Sequence, residues 1–285
     1  MRVKRRTKKQ PLAKSISAPA PAAVSHRLTQ STIASYHTLL KRQAILKRKI
    51  QTASSTVESR QIQQSLDDID HEIAELGGLE AYQTASKLGQ SRERGGDTSK
   101  VLVKWLEEMN MSNNGRLKML ELGALTPNNY ASCSTWIDNH PIDLHSQHPD
   151  IVEQDFFDRP LPESEAEAFD IISCSLVLNF VSTPQDRGRM LRLLHEHLKP
   201  RGESLLFLVL PLPCLANSRY ISIDSCVELM TVVGFELVKE QWKGGGKVGY
   251  WLWRWKRPDD QGSDRWKRKI VEQDGPKRNN FAIVL

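Results

Sequence analysis

The stretch "KMLELGALTPNN", residues 118–129, decides the fold class that we expect for this chain. It contains a short apolar run, an acid at Glu121, a single glycine at Gly123 and then turn-forming residues. In open α/β sheets a strand ends in this manner where its chain meets a ligand. Because glycine has no Cβ, Gly123 would let a ligand approach the backbone closely. The stretch predicts that residues 117–122 form the first strand of such a sheet.

Similar apolar runs recur downstream and alternate with segments of helical periodicity. The strongest are "PIDL" at 141–144, "FDIISCSLVL" at 169–178 and "SLLFLVL" at 204–210. Continuous apolar strands separated by helices indicate a mostly parallel sheet with helices on both faces, a Rossmann-like α/β fold. Three later runs are also expected to be strands, and an antiparallel edge could be among them: "ELVKEQW", "KVGYWLWRW" and "NNFAIVL".

The residues around Gly123 narrow the class of ligand. A pyrophosphate needs several backbone N–H groups and hence several glycines, whereas this loop has one glycine and no Lys or Arg after it. Glu121 would repel a phosphate and would suit a cationic group. A nucleoside that carries a positive charge and no phosphate fits better. S-adenosylmethionine (SAM), with its sulfonium and amino groups, is such a ligand.

Two further acids and an aromatic residue complete the predicted nucleoside site. Asp143 stands 20 residues after Gly123, at the end of an apolar run. An acid at this spacing accepts hydrogen bonds from ribose hydroxyls. Asp155 would accept an adenine amino group, and Phe156 would stack on the ring. The alternative is an α/β domain in which these acids are ordinary loop residues.

The amino-acid composition limits the classes of protein to which this chain can belong. Of 285 residues, 39 % are hydrophobic, and no run reaches the roughly 18 apolar residues that a membrane helix needs. The 4 cysteines show no CxxC or CxxH spacing. We interpret them as buried free thiols in a reducing compartment, and we expect no metal site and no membrane partner.

Charge is distributed unevenly along the chain. Residues 115–240 hold 10 basic and 18 acidic side chains, a net charge of −8, whereas the whole chain carries +6. The first 14 residues contain 7 Lys or Arg and no acid, and a Pro/Ala/Ser-rich segment follows. Such a cluster is typical of a nuclear or nucleolar address or of a nucleic-acid contact. A solvated charged tail is the alternative.

The pattern divides the chain into three parts. Residues 1–28 are expected to be a disordered basic tail, residues 29–77 an antiparallel helical hairpin, and residues 78–285 the α/β domain. The second hairpin helix shows a heptad seam that ends at two glycines. With polar outer faces, the hairpin would project from the body or clamp a partner, and a purely structural role is equally open.

Longer phrases resemble known enzymes. "LKPRG" at 198–202 resembles the turn before the fifth strand of class I SAM-dependent methyltransferases. More narrowly, residues 75–285 resemble the fungal 25S rRNA adenine-N1 methyltransferase family. The phrases that carry this resemblance include "LELGALTPNN", "PIDLHSQHPDIVEQDFFDRPLP", "FDIISCSLVLNFV", "LVLPLPCLANSRY" and "KRNNFAIVL".

The resemblance implies a class I fold and a nucleolar enzyme of ribosome biogenesis. It implies methyl transfer from SAM to N1 of one adenine in large-subunit rRNA, with the rRNA or a pre-ribosomal particle as partner. A protein adaptor on the hairpin is a further possibility. Gly123 and Asp143 match the family's SAM-binding positions, whereas Glu121 and Asp155 match only the broader class I pattern. The single-glycine loop departs from the usual GxGxG, in a form that this family shares.

Residues after the fourth and fifth strands are the candidates to hold the target base. Asn179 follows "SLVL" and is the candidate catalytic residue, with helix capping as its alternative role. "SLVLN" lacks the Asn-Pro-Pro-Tyr motif of enzymes that methylate exocyclic amines, which favours a ring nitrogen. The segment after the fifth strand adds four candidates: Pro213, Asn217, Arg219 and Tyr220.

Two rival functions remain open from sequence. One is a SAM-binding sensor that transfers nothing, and the other is a small-molecule methyltransferase. An RNA enzyme needs a basic surface, whereas neither rival does. Basic residues in the N-terminal tail favour RNA, as does a late cluster formed by Arg265, Lys267, Arg268 and Lys269.

Overall fold

The computed structural model describes six segments of the chain: residues 26–53, 55–89, 98–113, 115–243, 246–259 and 262–285. Of the predicted disordered tail, residues 1–25 lie outside the described part, and residues 26–28 belong to a helix. Most of the loop expected at 89–99 also lies outside it. The helices run in chain order as α1 His26–Gln51, α2 Thr56–Glu75, α3 Gly78–Gly89, α4 Ser99–Glu108, α5 Pro184–Glu196, α6 Pro213–Ala216 and α7 Ile223–Val233.

A seven-stranded sheet forms the centre of the α/β part. Its strands are β1 Leu117–Leu122, β2 Ile137–Asp143, β3 Val152–Glu153, β4 Ile171–Ser175, β5 Leu205–Pro211, β6 Phe235–Trp242 and β7 Val248–Trp255. The order is β3-β2-β1-β4-β5-β7-β6, and only β7 runs antiparallel to both of its neighbours. This order, with one inserted antiparallel strand, confirms the predicted class I methyltransferase fold and its antiparallel edge.

Helices cover both faces of the sheet because its central strands are apolar on both sides. Leu120 and Leu122 of β1 point to one face, where they join a core with α5 and α7. Leu117 and Met119 point to the other face and pack with α4, whose Trp105 meets Phe207 edge-on at 5.9 Å between ring centroids. Alternate residues of a strand face opposite sides, so continuous apolar runs require both layers.

The N-terminal helices form a hairpin that contacts the α/β part through side chains of α1. Helix α1 packs against both α2 and α3, with Tyr36 and Leu39 buried. Ser55 caps α2 by accepting a hydrogen bond from the backbone N–H of Glu58. At the far end of α1, Arg48 forms an ion pair with Asp186, in the first turn of α5. The hairpin therefore reaches the helix that follows β4.

The C-terminal run "NNFAIVL" is not a strand, contrary to the sequence prediction. Phe281 to Val284 are buried in an extended tail that bonds to loops instead of to a strand of the sheet. The Val284 N–H donates to Pro184 O at 2.9 Å, and the Ser218 hydroxyl donates to Phe281 O at 2.5 Å. An added Cβ on Gly188 would lie 1.9 Å from Val284 O, so α5 needs this glycine to admit the tail. The tail thus fixes the segments that follow β4 and β5.

Two expectations from composition can be compared with the described residues. None of the helices in that part of the chain is long and apolar enough to cross a membrane. The cysteines are free, and Cys133, Cys174 and Cys226 are buried as expected, whereas Cys214 is half-buried. Burial raises the pKa of the Cys174 and Cys226 thiols to about 12, so they stay protonated and unreactive at neutral pH.

Candidate functional site

The carboxyl ends of β3, β2, β1 and β4 meet along one edge of the sheet. The N–H groups of Gly123 and Ala124 donate to Ile142 O at 2.9 and 3.1 Å, so the end of β1 lies beside the end of β2. Strand order reverses between β1 and β4, and ligands of open α/β sheets bind at this reversal. Gly123, Asp143 and Asp155 follow three neighbouring strands, and Asn179 follows the fourth. The structure therefore brings the predicted nucleoside-binding and base-binding residues to one edge.

Gly123 is at a position that only glycine occupies without strain. Its φ is +71°, in the left-handed region, and an ideal Cβ there would lie 2.6 Å from Val177 Cγ2. Val177 lies two residues before Asn179 in the loop that follows β4. The glycine thus lets the β1 and β4 loops touch, and it joins the expected cofactor position to the loop of the candidate base-binding residue.

Glu121 is not in the ligand-facing position that the sequence predicts. Its side chain is buried, and its two carboxylate oxygens accept hydrogen bonds from Asn129 Nδ2 at 2.6 Å and Asn139 Nδ2 at 2.7 Å. The Asn129 side chain also accepts from Thr126, and the Asn129 carbonyl accepts from Ser99 of α4. Glu121 therefore fixes the loop after β1 to the neighbouring strand and helix instead of presenting its charge to a ligand.

Asp143 ends β2 with a half-buried carboxylate. Its Oδ1 accepts a hydrogen bond from the His145 N–H at 2.9 Å. Burial raises the pKa of this carboxyl above its usual value; the bond from His145 and the charge of that histidine oppose the rise, and the Glu153 charge adds to it. Leu144 follows directly, with 55 % of its side chain exposed. An acid beside an exposed apolar side chain matches a ribose next to a purine ring.

Asp155 and Phe156 follow β3 and differ in their surroundings. Asp155 is exposed and accepts a hydrogen bond from the Phe157 N–H at 2.8 Å, so it begins a short 3₁₀ turn. Phe156 is only 5 % exposed, and its ring packs against His197 at 5.1 Å between centroids. This position in the core corrects the expected stacking role of Phe156, because its faces are already covered. Asp155 as an adenine contact stays a prediction.

The loop after β4 has an unusual backbone and an unsatisfied polar group. Leu176 has a φ of +57°, a conformation that side-chain-bearing residues seldom adopt outside functional sites. Asn179 is 8 % exposed, and its Oδ1 is buried without a hydrogen-bond partner among the described residues. A buried acceptor without a partner costs about 1–3 kcal/mol, and a ligand that donates to it would recover that cost.

The residues after β5 bind the C-terminal tail, which corrects their expected role at the base. The Asn217 amide donates to Lys277 O at 3.1 Å. Arg219 donates to Asn280 Oδ1 at 2.6 Å and to Gly275 O at 3.0 Å. The other two candidates are Pro213, which begins α6, and Tyr220, whose ring lies under the Lys269 ammonium at 5.3 Å.

Two of the four residues of the late basic cluster form ion pairs with nearby acids. Arg265 forms ion pairs with Glu228 and Glu272, and Lys267 pairs with Asp264. Of its four members, Arg268 and Lys269 have no ion pair among the described residues. The cluster therefore offers fewer free charges to RNA than the sequence predicts.

The site fits a nucleoside at the ends of β1 and β2. Gly123 leaves room that a Cβ would fill, Asp143 offers a free carboxylate oxygen for ribose, and Leu144 offers apolar surface for adenine. Sequence reasoning does not single out Leu144 or Val177. Leu144 could have been identified from sequence because it directly follows Asp143. Nothing in the local sequence indicates the contact between Val177 and Gly123.

Comparisons with known proteins show the family of the chain. A family model described as 25S rRNA (adenine(2142)-N(1))-methyltransferase, Bmt2, matches residues 67–283. The 25S rRNA (adenine(2142)-N(1))-methyltransferase of Saccharomyces cerevisiae is 40 % identical over 218 residues, which are 76 % of this chain and 63 % of that protein. The 25S rRNA adenine-N(1) methyltransferase of Schizosaccharomyces pombe is 37 % identical over 256 residues, which are 87 % of this chain and 88 % of that protein.

Among solved structures, a SAM-dependent methyltransferase from Aquifex aeolicus aligns with 60 % of this chain and 97 % of its own, at 13 % identity and a TM-score of 0.42. The sequence matches are far stronger than this structural likeness. The family match covers more than half of the residues, including the loops after β1, β2 and β4. The chain belongs to the Bmt2 family of 25S rRNA (adenine(2142)-N(1))-methyltransferases.

Proposed function

We propose that this protein transfers a methyl group from SAM to N1 of an adenine in large-subunit rRNA. The observation that carries the proposal is the contact between Gly123 and Val177, together with the unpartnered oxygen of Asn179 two residues later. This contact supports the proposal because it joins the end of β1 to the loop that carries a buried acceptor suited to an adenine. The names of the relatives from the two yeasts support the same substrate and atom.

Each residue at the edge has a part in binding. The Asp143 carboxylate accepts hydrogen bonds from the ribose hydroxyls, and Leu144 covers one face of the cofactor's adenine. The chemistry that SAM supplies when bound is a methyl group on a positively charged sulfur. Gly123 keeps the strand end open for close approach, and Glu121 holds the loop in that shape. The described residues then contribute to the rate mainly by orienting SAM and the target adenine. Such orientation is worth up to about 7–11 kcal/mol in favourable cases.

Asn179 suits recognition of the target adenine. The Watson–Crick edge of adenine carries the N6 amino donor next to N1, and in a duplex that edge is paired, so the base must be unpaired or flipped. If Asn179 Oδ1 accepts from N6, the N1 lone pair remains free to attack. N1 carries no proton that must leave, so no general base is required. The product is cationic, and the amide oxygen would also face its developing positive charge.

Replacing Asn179 with alanine is expected to lower kcat/KM for RNA methylation about tenfold, the value of one hydrogen bond to a developing charge. SAM affinity should be unchanged, because Asn179 lies on the base side. The measurement is steady-state transfer to an rRNA fragment, with calorimetry of SAM binding as the second readout. Asn179→Asp is the matched control, since it keeps an acceptor and should retain more activity than alanine. Equal loss of SAM affinity and activity in the alanine variant would contradict the base-binding role.

The cellular setting is part of the proposal. We propose a nuclear, mainly nucleolar enzyme of ribosome biogenesis that acts on rRNA or a pre-ribosomal particle, with a protein adaptor on the hairpin as a further possibility. The basic residues 2–9 support the address. Mapping N1-methyladenine in rRNA from cells that lack the protein tests the activity, and a fluorescent fusion without residues 1–14 tests the address. A SAM sensor predicts unchanged rRNA methylation in such cells.

A further inference from the structure

The junction between α1 and the segments after β4 and β5 concentrates positive charge. Lys41 of α1 is half-buried there, within the electrostatic field of Arg187 in α5 and of the Cys214 thiol in α6. About two turns further along the same face of α1, Arg48 pairs with Asp186. Residues seven apart share a helix face, so Lys41 and Arg48 both face this junction.

Among the described residues, neither inner cation forms an ion pair, and the acid that acts on Arg187 is its neighbour Asp186. Arg187 is 4 % exposed, and its guanidinium donates only to carbonyl oxygens, Ala282 O at 2.7 Å and Ser182 O at 3.3 Å. Its Nε is buried without a partner among the described residues. Lys41 has neither a hydrogen bond nor an ion pair in that same part of the chain. Asp186, beside Arg187, already pairs with Arg48.

Arg187 nevertheless keeps its charge at neutral pH. Burial lowers the pKa of Arg187, but only to about 10, and burial followed by the Arg187 charge lowers the pKa of Lys41. Burial raises the pKa of the Cys214 thiol to about 11, so this neighbour is neutral and supplies no countercharge. Adjacent desolvated cations are costly when their one nearby acid, Asp186, is shared with Arg48, and a bound anion would lower that cost.

The position of the junction indicates which anion it takes. Arg187 belongs to the helix that begins after the Asn179 loop, and Cys214 follows β5. The junction is therefore on the β4–β5 side of the edge, away from the nucleoside pocket at β1 and β2. Helix α1 contains 6 Lys or Arg and no acid, and its exposed Lys47 and Lys49 continue the positive surface. In the late cluster, two of the four cations, Arg265 and Lys267, are paired with acids.

We propose that Lys41, backed by Arg187, binds a backbone phosphate of the RNA strand next to the target adenine. This inference rests on the proposed function, since it names the part of the protein that holds the substrate strand. Arg48 orients α1 against α5 through Asp186, and the exposed lysines of α1 guide the strand onward. The hairpin is then part of the substrate-binding surface, close to the loop that holds the base.

The test compares Lys41→Gln with Arg192→Gln, an exposed cation of α5 without an ion pair among the described residues. Binding of an rRNA fragment is measured by fluorescence anisotropy from low to high salt. For Lys41→Gln we expect affinity to fall about three- to tenfold and the log–log salt slope to shrink by about 0.7, the value for one phosphate contact on a single strand. Arg192→Gln should match the wild type, and both variants should keep SAM affinity.

Thermal stability separates this role from a structural one. Because Lys41 is desolvated beside a like charge, its replacement by glutamine should leave the melting temperature of the RNA-free protein unchanged or raise it. A drop in melting temperature with normal RNA binding would show a packing role and overturn the proposal. An unchanged salt slope in Lys41→Gln would overturn it as well. If poly-glutamate binds the wild type as tightly as RNA and loses affinity in Lys41→Gln, the site takes acidic protein and not RNA.

Failure of the underlying function is a separate outcome. A wild type that binds RNA through Lys41 but transfers no methyl group would leave the phosphate site standing and remove the enzyme assignment. If the wild type methylates RNA but Lys41→Gln leaves the salt slope of RNA binding unchanged, the enzyme assignment stands and the phosphate site is removed. A wild type that shows no salt-dependent RNA binding overturns the phosphate site directly.

Discussion

Replacing Gly123 with alanine is expected to weaken SAM binding about a hundredfold, which corresponds to about 2.7 kcal/mol. Its φ of +71° costs a side-chain-bearing residue about 1–3 kcal/mol, and the new Cβ would lie 2.6 Å from Val177 Cγ2. The methyl group also takes space that the ligand needs at the strand end. Isothermal titration calorimetry with the full chain measures the effect.

A second substitution separates loss of the pocket from distortion of the loop. In Gly123→Ala combined with Val177→Ala, the Cγ2 contact disappears, and the remaining Val177 Cβ position is 4.0 Å away, an ordinary contact. We expect the double variant to regain only part of the melting temperature lost in Gly123→Ala, because the strain of the positive φ remains, while SAM affinity stays low. Full recovery of affinity would show that Gly123 serves loop packing only. Wild-type affinity in the single variant would place Gly123 outside the pocket.

Asp143→Asn is expected to lower SAM affinity between about 10- and 100-fold, because hydrogen bonds to a charged group are worth about 1.5–3 kcal/mol. The amide keeps the shape and can still accept from one ribose hydroxyl, so binding should weaken without disappearing. Glu153→Gln is the matched control, a nearby acid in β3 that is exposed and not expected to touch the ligand. Affinity within twofold of the wild type would assign the ribose to another acid.

The raised pKa of Asp143 predicts how the stability of the protein and its SAM affinity change with pH. Because folding raises this pKa, folding favours the protonated carboxyl, so the associated stability is present at low pH and is lost as pH rises through the folded pKa. At neutral pH the ionised group is therefore a cost in the ligand-free protein, and Asp143→Asn should not lower its melting temperature. Ribose binding needs the carboxylate, so wild-type SAM affinity should fall on acidification through the raised pKa, and the variant should lack this dependence.

The sheet and the ends of its first two strands were predictable from sequence for a clear physical reason. Strands buried on both faces must be apolar throughout, so β1, β4 and β5 stand out as continuous runs. A glycine and an acid at the ends of β1 and β2 are set by what the ligand requires of the backbone and of a carboxylate. These signals are local, and Gly123 and Asp143 lie where they indicate.

The errors concern residues whose role depends on distant partners. Glu121 is held by Asn139 of the next strand, and Phe156 is covered by His197 at the end of α5. Arg219 bonds to a C-terminal tail that its own neighbourhood does not reveal. Local periodicity also cannot show that Lys41 meets Arg187, because that pair arises only when the hairpin packs on the α/β part. Side-chain partners from distant segments are a property of the tertiary fold and not of the local pattern.

The central claim, methyl transfer to adenine N1, is tested most directly by incubating the full chain with SAM and an unmodified 25S rRNA fragment and then identifying the product by mass spectrometry. A matched fragment with 1-deazaadenosine at the modified position lacks the N1 lone pair. We predict one N1-methyladenosine in the natural fragment and no methyl group at that position in the matched one. SAM binding without transfer to any large-subunit rRNA fragment, or transfer that persists on the 1-deaza fragment, would contradict it.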